Sequence, residues 1–271
     1  GTHSAESNIV VVDTLSPIMS AVSIASSNAN NSSLARAGDL VTVSVTADKQ
    51  IEQPVVSWTV GGTAASDSTV TYSDLGDGNG ATWTASIDLS GGDADGAVSF
   101  SIDYQDTNGN AGLTCTATTD GSAVTFDNTT PASFTTGVVT VTGGTVVAGI
   151  WNNQNSGLRV VTPVPGDSSL LNGTMQLQGK VGAGSWEEVG SASGISSVGV
   201  NRTLTLTAGE FEGISGFAGG ETIYFRTVLA DAAGNTTAGT SSSMVVSVSG
   251  GGSGTHSAES NIVVVDTLSP I

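Results

Sequence analysis

Apolar and polar residues alternate along most apolar stretches of this chain, and this period of two limits what it can fold into more than any other feature. Residues 40–47 read LVTVSVTA, residues 98–104 read VSFSIDY and residues 174–181 read TMQLQGKV. Because successive side chains of a strand point to opposite faces of a sheet, the alternation predicts many half-buried strands. Gly, Asn and Asp separate these strands at short intervals, which is typical of antiparallel β-sandwiches. The only helix expected is one turn within residues 208–217.

Internal similarity divides the chain into two modules. VVVDTLSP at residues 10–17 matches VTFDNTTP at residues 124–131, and YQDTNGNAG at residues 104–112 matches LADAAGN at residues 229–235. An Asp–Pro joint therefore precedes the first strand of each module, and an Asp/Asn/Gly loop precedes its last strand. We expect an all-β chain of two tandem immunoglobulin-like antiparallel β-sandwiches, each near the roughly 100-residue size of such a fold, with an extra terminal strand at each end.

The first residues of the chain recur at its end. Residues 1–18, GTHSAESNIVVVDTLSPI, are repeated without change as residues 254–271, behind a stretch with the composition of an engineered linker. The segment has the form of a final strand followed by a joint, so we expect a strand that has no sheet of its own. The expected order is an orphan or donor strand at 1–13, module 1 at 14–127, module 2 at 128–249, a Gly/Ser linker at 250–253 and the duplicate at 254–271.

Charge and composition exclude several functional classes. The chain carries 24 acidic and 6 basic residues, for a net charge of −18, so it repels nucleic acid and anionic membranes and neither is an expected partner. The only histidines are His3 and its copy His256, and the GxSxG and phosphate-loop motifs are absent. Glu187 and Glu188 are adjacent, so on a strand they face opposite sides and do not form a catalytic pair. We expect that the protein is not an enzyme.

A few conspicuous residues are expected to be structural. Trp58 and Trp151 are assigned to the cores of the sandwiches rather than to sugar binding. Cys115 is the lone cysteine and is expected as a buried thiol in a strand. Lys49 and Lys180 are both expected in solvent, which argues against an intramolecular isopeptide bond from either.

The joints and loops together resemble a known family. The DTLSP and DNTTP joints, with the DTNGNAG and DAAGN loops, resemble the bacterial immunoglobulin-like (Big-type) repeats of large secreted adhesins and surface fibres. Module 2 is the closer match, through GGTVVAGIWN, LTAGEFEGISGF and FRTVLADAAGN. The resemblance implies a non-enzymatic extracellular protein of the bacterial cell surface, with modules that stack end to end and are stiffened by structural calcium.

Acidic and amide side chains are expected to gather where each module begins. In an immunoglobulin-like sandwich two loops share the pole at which the first strand enters, and Ca²⁺ takes about 6–8 oxygen ligands. The predicted calcium ligands are Asp13, Asp48, Glu52, Asp106, Asn108 and Asn110 for module 1, and Asp127, Asp231 and Asn235 for module 2, with Asp167 as an additional candidate. The alternative is that Asp, Asn and Gly only build tight turns. An EF-hand is excluded, because Ala117 stands where that loop needs a bidentate Glu.

The repeated strand has two explanations. In the first, it pairs with the sheet edge of a neighbouring module in another copy of the protein, and the terminal copy fills the chain's own acceptor edge. In the second, it is only the boundary of a repeat cut from a longer stalk. Strand donation is favoured, because a second copy on a glycine linker is a usual way to self-complement a donor. The donor residues are Ile9, Val10, Val11 and Val12, and in the copy Ile262, Val263, Val264 and Val265.

Two points stay open at this stage. Residues 241–248 already have the pattern of the last strand of module 2, so the copy must either displace that strand or pair beyond it. A rival function is a terminal adhesin module that recognises glycan or another cell surface through its loops or through Trp151.

Overall fold

The regular secondary structure of the described residues is almost entirely β-strand. A computed structural model describes residues 12–76 and 80–247, and it divides the chain into unit 1, Gly1–Asn128, and unit 2, Thr129–Ile271. The sheets of both units are mainly antiparallel, which confirms the all-β sandwich class. The orphan strand and its copy lie outside the described residues, apart from Val12 and Asp13.

Unit 1 is a sandwich of two sheets. One sheet has the order β1–β3–β7–β6 and the other β2–β9–β8–β4–β5. The strands are β1 Met19–Ser26, β2 Leu34–Ala35, β3 Leu40–Ala47, β4 Val55–Val60, β5 Thr63–Ala64, β6 Thr71–Asp74, β7 Thr82–Asp88, β8 Gly96–Asp103 and β9 Val124–Phe126.

Unit 2 repeats this plan with a second pair of sheets. One has the order β10–β12–β16 and the other β11–β19–β17–β13–β14, with β15 beside β13 and β18 beside β17. The strands are β10 Val139–Thr142, β11 Ile150–Trp151, β12 Gly157–Val164, β13 Thr174–Val181, β14 Glu187–Glu188, β15 Ser193–Gly194, β16 Val200–Thr207, β17 Thr222–Ala230, β18 Thr236–Ala238 and β19 Ser242–Val246.

The alternation seen in the sequence becomes burial in the sheets. In β3 the side chains of Val41, Val43 and Val45 are buried, while the Thr and Ser residues between them are only partly covered. Each sheet thus turns one apolar face to the inside of its sandwich, which is what stabilises a two-layer β fold. Trp58 and Trp151 are both core residues, as the sequence indicates, whereas Cys115 is only half-buried.

The helical content is small. The α-helix α1 spans Ala208–Glu212, inside the region expected to hold one helical turn, and a 3₁₀ turn spans Ser168–Leu170. Thr207 caps α1 in a capping box, since its side chain accepts a hydrogen bond from the Glu210 N–H and the Glu210 carboxylate accepts one from the Thr207 N–H. Phe211 projects from this turn into the core, where its ring lies 4.7 Å from that of Trp151.

A pair of threonines joins the two sheets of unit 2. Thr162 of β12 and Thr227 of β17 are fully buried, and their hydroxyl oxygens lie 2.7 Å apart. A buried hydroxyl that loses its partner costs more free energy than a pair that is replaced together. This bond is therefore a sharp test of how the core of unit 2 is assembled.

We expect Thr162→Val to lower the free energy of unfolding of unit 2 by about 1–3 kcal/mol, because it leaves the Thr227 hydroxyl buried without a partner. The double variant Thr162→Val/Thr227→Val should recover most of this loss, since it removes both polar groups. Urea unfolding followed by tryptophan fluorescence measures the unfolding free energy of the single and the double variants. If the free-energy losses of the two single variants add up to that of the double variant, a direct bond between the hydroxyls is contradicted.

Candidate module joint

The segment before β1 is fastened to the pole of unit 1 by hydrogen bonds. Pro17 is buried, and the Tyr104 hydroxyl, 3.4 Å from the Pro17 carbonyl oxygen, accepts a bond of 3.2 Å from the Met19 N–H. The Asp48 carboxylate accepts a bond of 2.8 Å from the Ile18 N–H, and the Asp48 N–H donates back to the Ile18 carbonyl at 2.9 Å. These contacts fix the direction in which the chain enters its first strand.

Unit 2 uses the same device. Pro131 is buried like Pro17, and the carboxylate of Asp167 accepts a bond of 3.4 Å from the Ala132 N–H. In both units, therefore, an aspartate in the loop after the strand that pairs with the first one, β3 in unit 1 and β12 in unit 2, holds the residue that follows the joint proline. Asp167 also caps the 3₁₀ turn by accepting from the Ser169 N–H, and these bonds lower its pKa, with the Ser169 side chain as the largest cause.

The loop after β8 is organised around one carboxylate. Asp106 is 1% exposed, and its Oδ1 accepts the N–H groups of Asn108 at 3.0 Å and Asn110 at 2.9 Å. Its Oδ2 accepts from the side-chain amide of Asn110 at 2.9 Å. The hydrogen bond from the Asn110 side chain is the main reason that the pKa of Asp106 falls to about 2. Gly109 takes φ +87°, a conformation that favours glycine, so the turn closes without strain.

The corresponding loop of unit 2 has the same geometry. Asp231 is buried, and its Oδ1 accepts the N–H groups of Gly234 at 2.7 Å and Asn235 at 2.9 Å, while its Oδ2 accepts from the Asn235 side chain at 3.0 Å. Gly234 takes φ +94°, like Gly109. The repeated Asp-x-x-Gly-Asn motif thus builds one kind of turn in both units, as the alternative interpretation of these residues expects.

Asp13 brings the leading segment of unit 1 to this loop. Its Oδ2 accepts a bond of 3.0 Å from the Asn108 side chain, and its carbonyl oxygen accepts one of 3.3 Å from the Asn110 side chain. The Leu15 N–H donates to Oδ1 at 3.0 Å and is the largest cause of a lowered Asp13 pKa. Asp13, Asp106, Asn108 and Asn110 therefore meet, as the sequence predicts for this pole.

A lysine completes the joint. The Lys49 ammonium lies 2.5 Å from the Leu15 carbonyl oxygen, 3.4 Å from Asp106 Oδ2 and 3.5 Å from Asp13 Oδ2. The expectation that Lys49 is simply solvated is wrong, because its side chain is 24% exposed and bridges the leading segment to the loop. The sequence carries only a weak signal for this role: Lys49 is one of 6 basic residues in the chain and directly follows Asp48.

The other predicted ligands lie elsewhere. The Glu52 carboxylate accepts a bond of 2.6 Å from the Gln105 side chain and is exposed. Asp127 belongs to unit 1, whereas Asp231 and Asn235 belong to unit 2, so their association stays a prediction. Lys180 lies over the rings of Trp186 and Tyr224, at 4.9 and 5.6 Å from their centroids, instead of extending freely into solvent.

The joint of unit 1 has the oxygens that calcium prefers, but they already face a positive charge. Asn108 and Asn110 direct amide N–H groups, not oxygens, at the carboxylates. Within residues 12–76 and 80–247, no group of three or more His, Cys, Asp or Glu side chains is placed to hold a metal ion. As arranged, these residues fit an ammonium group better than Ca²⁺, and calcium at this pole stays a prediction.

Comparisons with known proteins add little to this description. No protein-family model matches the chain, and no curated protein matches it. One solved structure to which it is similar is dimeric latent PorU from Porphyromonas gingivalis, with a TM-score of 0.27 and 12% identity. The match covers 90% of this chain and 21% of the PorU chain, so this chain spans about a fifth of that protein. So weak a likeness supports no argument about function.

The class of the protein therefore rests on its own sheets, and it is an all-β sandwich protein. In the described part of the chain, the helices are the 5-residue α1 and the 3-residue 3₁₀ turn, and neither has the length to cross a bilayer.

Replacing Lys49 tests the joint. Lys49→Met keeps the aliphatic stem and removes the ammonium, leaving the buried Asp106 beside Asp13 without a compensating charge. We expect the melting temperature of unit 1 at neutral pH to fall by roughly 5–10 °C, measured by scanning calorimetry of the whole chain.

Arg159→Met is the matched control, because Arg159 is an exposed residue of β12 and its replacement removes an equal charge. Its melting temperature should change by less than about 2 °C. Equal shifts for the two variants would mean that Lys49 acts only through the net charge of the protein.

Acid should weaken the joint. The pKa of Asp106 is lowered from 3.8 to about 2 in the fold, so the stability it contributes is present above about pH 4 and is lost as the pH falls toward 2. We expect the unfolding free energy of unit 1, measured in urea, to decrease over this range. Asp106→Asn should be less stable at neutral pH and should show a shallower decrease; an unchanged slope would contradict this assignment.

Proposed function

We propose that this chain is a non-enzymatic subunit of an extracellular stalk or fibre on a bacterial surface, which assembles by donating its Ile9–Val12 strand to a neighbouring immunoglobulin-like module. The observation that carries the proposal is that, among the described residues, the core of unit 1 is built from residues that follow the joint. Its buried cluster runs from Val22 to Phe126, while Val12 is 75% exposed. In the proposal, the apolar segment that ends at this exposed residue pairs with another sheet.

The fastened joints support a stalk. A stalk must resist bending where the chain enters each module, and both units fix this point with a buried proline and a loop aspartate. In unit 1 the Lys49 bridge adds a charged contact between the leading segment and the Asp106 loop. The carboxylates of these loops are engaged by N–H groups and by Lys49, so they act as structural groups rather than as acids or bases.

Calcium is the cofactor that the family resemblance suggests, and in unit 1 it would compete with Lys49 for the same oxygens. We propose that Lys49 does in this joint what calcium does in similar modules. In the calorimetric test above, calcium should raise the melting temperature of Lys49→Met over its value in chelator and leave the unaltered chain unchanged. A rise in the unaltered chain would instead support a separate calcium site.

The adhesin alternative has less support. Trp151, its proposed sugar-binding residue, is 1% exposed, and its ring N–H donates to Glu212 at 3.1 Å. A ring so placed offers no face for a sugar to stack on. Binding of the protein to a glycan array in the presence of calcium would support the adhesin alternative.

Assembly is tested by truncation. A chain that lacks residues 250–271 should form fibres visible by negative-stain electron microscopy, because its acceptor edge is no longer filled by the copy. Removing residues 1–12 as well should leave separate particles, since the donor is lost while Asp13 and the joint remain. Separate particles from the first truncation, or fibres from both, would contradict strand donation.

A further inference from the structure

Unit 2 contains an apolar groove of about 620 Å³ between its two sheets. It runs between β10, at the edge of one sheet, and the start of β19 in the other. Valines dominate its lining, among them Val139 and Val141 of β10, whose side chains belong to the core of unit 2, and Val138 and Val146 beside them. The groove therefore opens directly onto the hydrophobic core.

The rim of the groove is unusually apolar for a protein surface. Val138 is 68% exposed and Val146 is 58% exposed. Further apolar residues close to them in the sequence or in the sheet are also exposed, namely Val147, Ile150 and Val245. Soluble proteins rarely leave a contiguous apolar patch uncovered unless another segment or partner binds there. The patch indicates that something apolar covers this edge.

The backbone at the groove is also open to pairing. The N–H groups of Val245 and Ser247 donate to the carbonyls of Gly149 and Trp151, so alternate residues of β19 direct their polar groups away from β17. Ser243 is the next residue on that side, where the two-residue strand β11 no longer reaches. Ser243 also lines the groove. A strand bound here would form backbone hydrogen bonds with β19 and would also bury its apolar side chains in the groove.

In unit 1 the corresponding edge, the outer edge of β1, is covered by another part of the same chain. There the outer edge of β1 is bonded by the long connection between β8 and β9. The Val22 N–H donates to the Thr119 hydroxyl at 2.9 Å, the Thr119 N–H donates to the Val22 carbonyl at 2.8 Å, and the Ile24 N–H donates to the Ser122 hydroxyl at 2.9 Å. Unit 1 therefore covers this edge with its own chain.

The equivalent connection of unit 2 is shorter and stops before the groove. Residues 231–241 run from the Asp231 loop to β19, and Thr240 bonds the backbone of Phe134 and Thr136, ahead of β10. Within the described residues β10 pairs only with β12, so its other edge has no strand partner among them.

We propose that the copied segment Ile262–Val265 of the same chain fills this groove as an added strand, with Val263 and Val265 facing the core. This inference rests on the proposed function and names the acceptor for the donated strand. Ile262, Val264 and Asp266 then lie on the opposite face, where the carboxylate stays in water. In a chain without the copy, Ile9–Val12 of a second molecule takes the same seat and links the two molecules.

The length of the intervening chain allows this. Residues 247–261 lie between the end of β19 and the copied strand, and at about 3.3 Å per residue they span up to about 50 Å. The strand β19 covers only 5 residues, or roughly 17 Å. The copy can thus run along the groove in either direction, and β19 keeps its place beside β17.

Hydrogen–deuterium exchange of the whole chain tests the proposal. The amides of residues 262–265 should exchange at least about 100-fold more slowly than in an unstructured peptide, and equally at low and high protein concentration. Val138→Asp and Val146→Asp should each abolish this protection, because they place a charge in the groove. Both residues are exposed in the described fold, so neither change removes a core contact.

Val200→Asp is the matched control, because Val200 is an exposed residue of β16 that does not line the groove, and this change should leave the protection intact. Fast exchange in the unaltered chain, protection that survives Val146→Asp, or protection that appears only at high concentration would each overturn the proposal. If residues 262–265 exchange slowly but the truncated chain forms no fibres, binding of the copy in the groove is supported and the fibre function is contradicted. Fibres from the truncated chain combined with fast exchange of residues 262–265 would support the fibre function and contradict the groove as the acceptor.

Discussion

The backbone N–H and C=O groups along the outer edge of a sandwich's first strand need hydrogen-bond partners, and the two units differ in how the described chain supplies them. In unit 1, Thr119 and Ser122 of the connection before the last strand bond the outer edge of β1. In unit 2 the shorter connection leaves β10 and Ser243 beside an apolar groove. In the proposed assembly, the edge of unit 2 that has no strand partner among the described residues accepts the apolar segment that the sequence carries twice.

The joint of unit 1 depends on the charges of three neighbouring side chains. Asp106 is buried and its charge is retained because N–H groups of its own loop converge on it, which is also why its pKa is low. Asp13 adds a second carboxylate from the leading segment, and Lys49 supplies the positive charge that lets the two lie close together. A single side chain thus couples the point of entry to the loop at the same pole.

A stalk or fibre requires stiff joints and a way to connect modules, and the two features lie in different parts of the molecule. The stiff joints are the Pro17 and Pro131 positions, each held by a loop aspartate. In the proposed assembly, the connecting feature is the groove of unit 2 together with the apolar segment that the sequence carries twice. Because one operates within a unit and the other between a unit and a strand, each can be lost by mutation without the other.

The sequence by itself determined the strands, the two modules and the turns, because period-two alternation and the Asp-x-x-Gly-Asn motif act through neighbours in the chain. It also placed Asp13 with Asp106, Asn108 and Asn110, since that pole follows from the sandwich topology. Only the tertiary structure decided that Lys49 lies among these oxygens while Glu52 pairs with Gln105, because both outcomes depend on the reach of side chains between loops distant in sequence. The open groove, likewise, follows from where the connection of unit 2 runs in space, which no local pattern encodes.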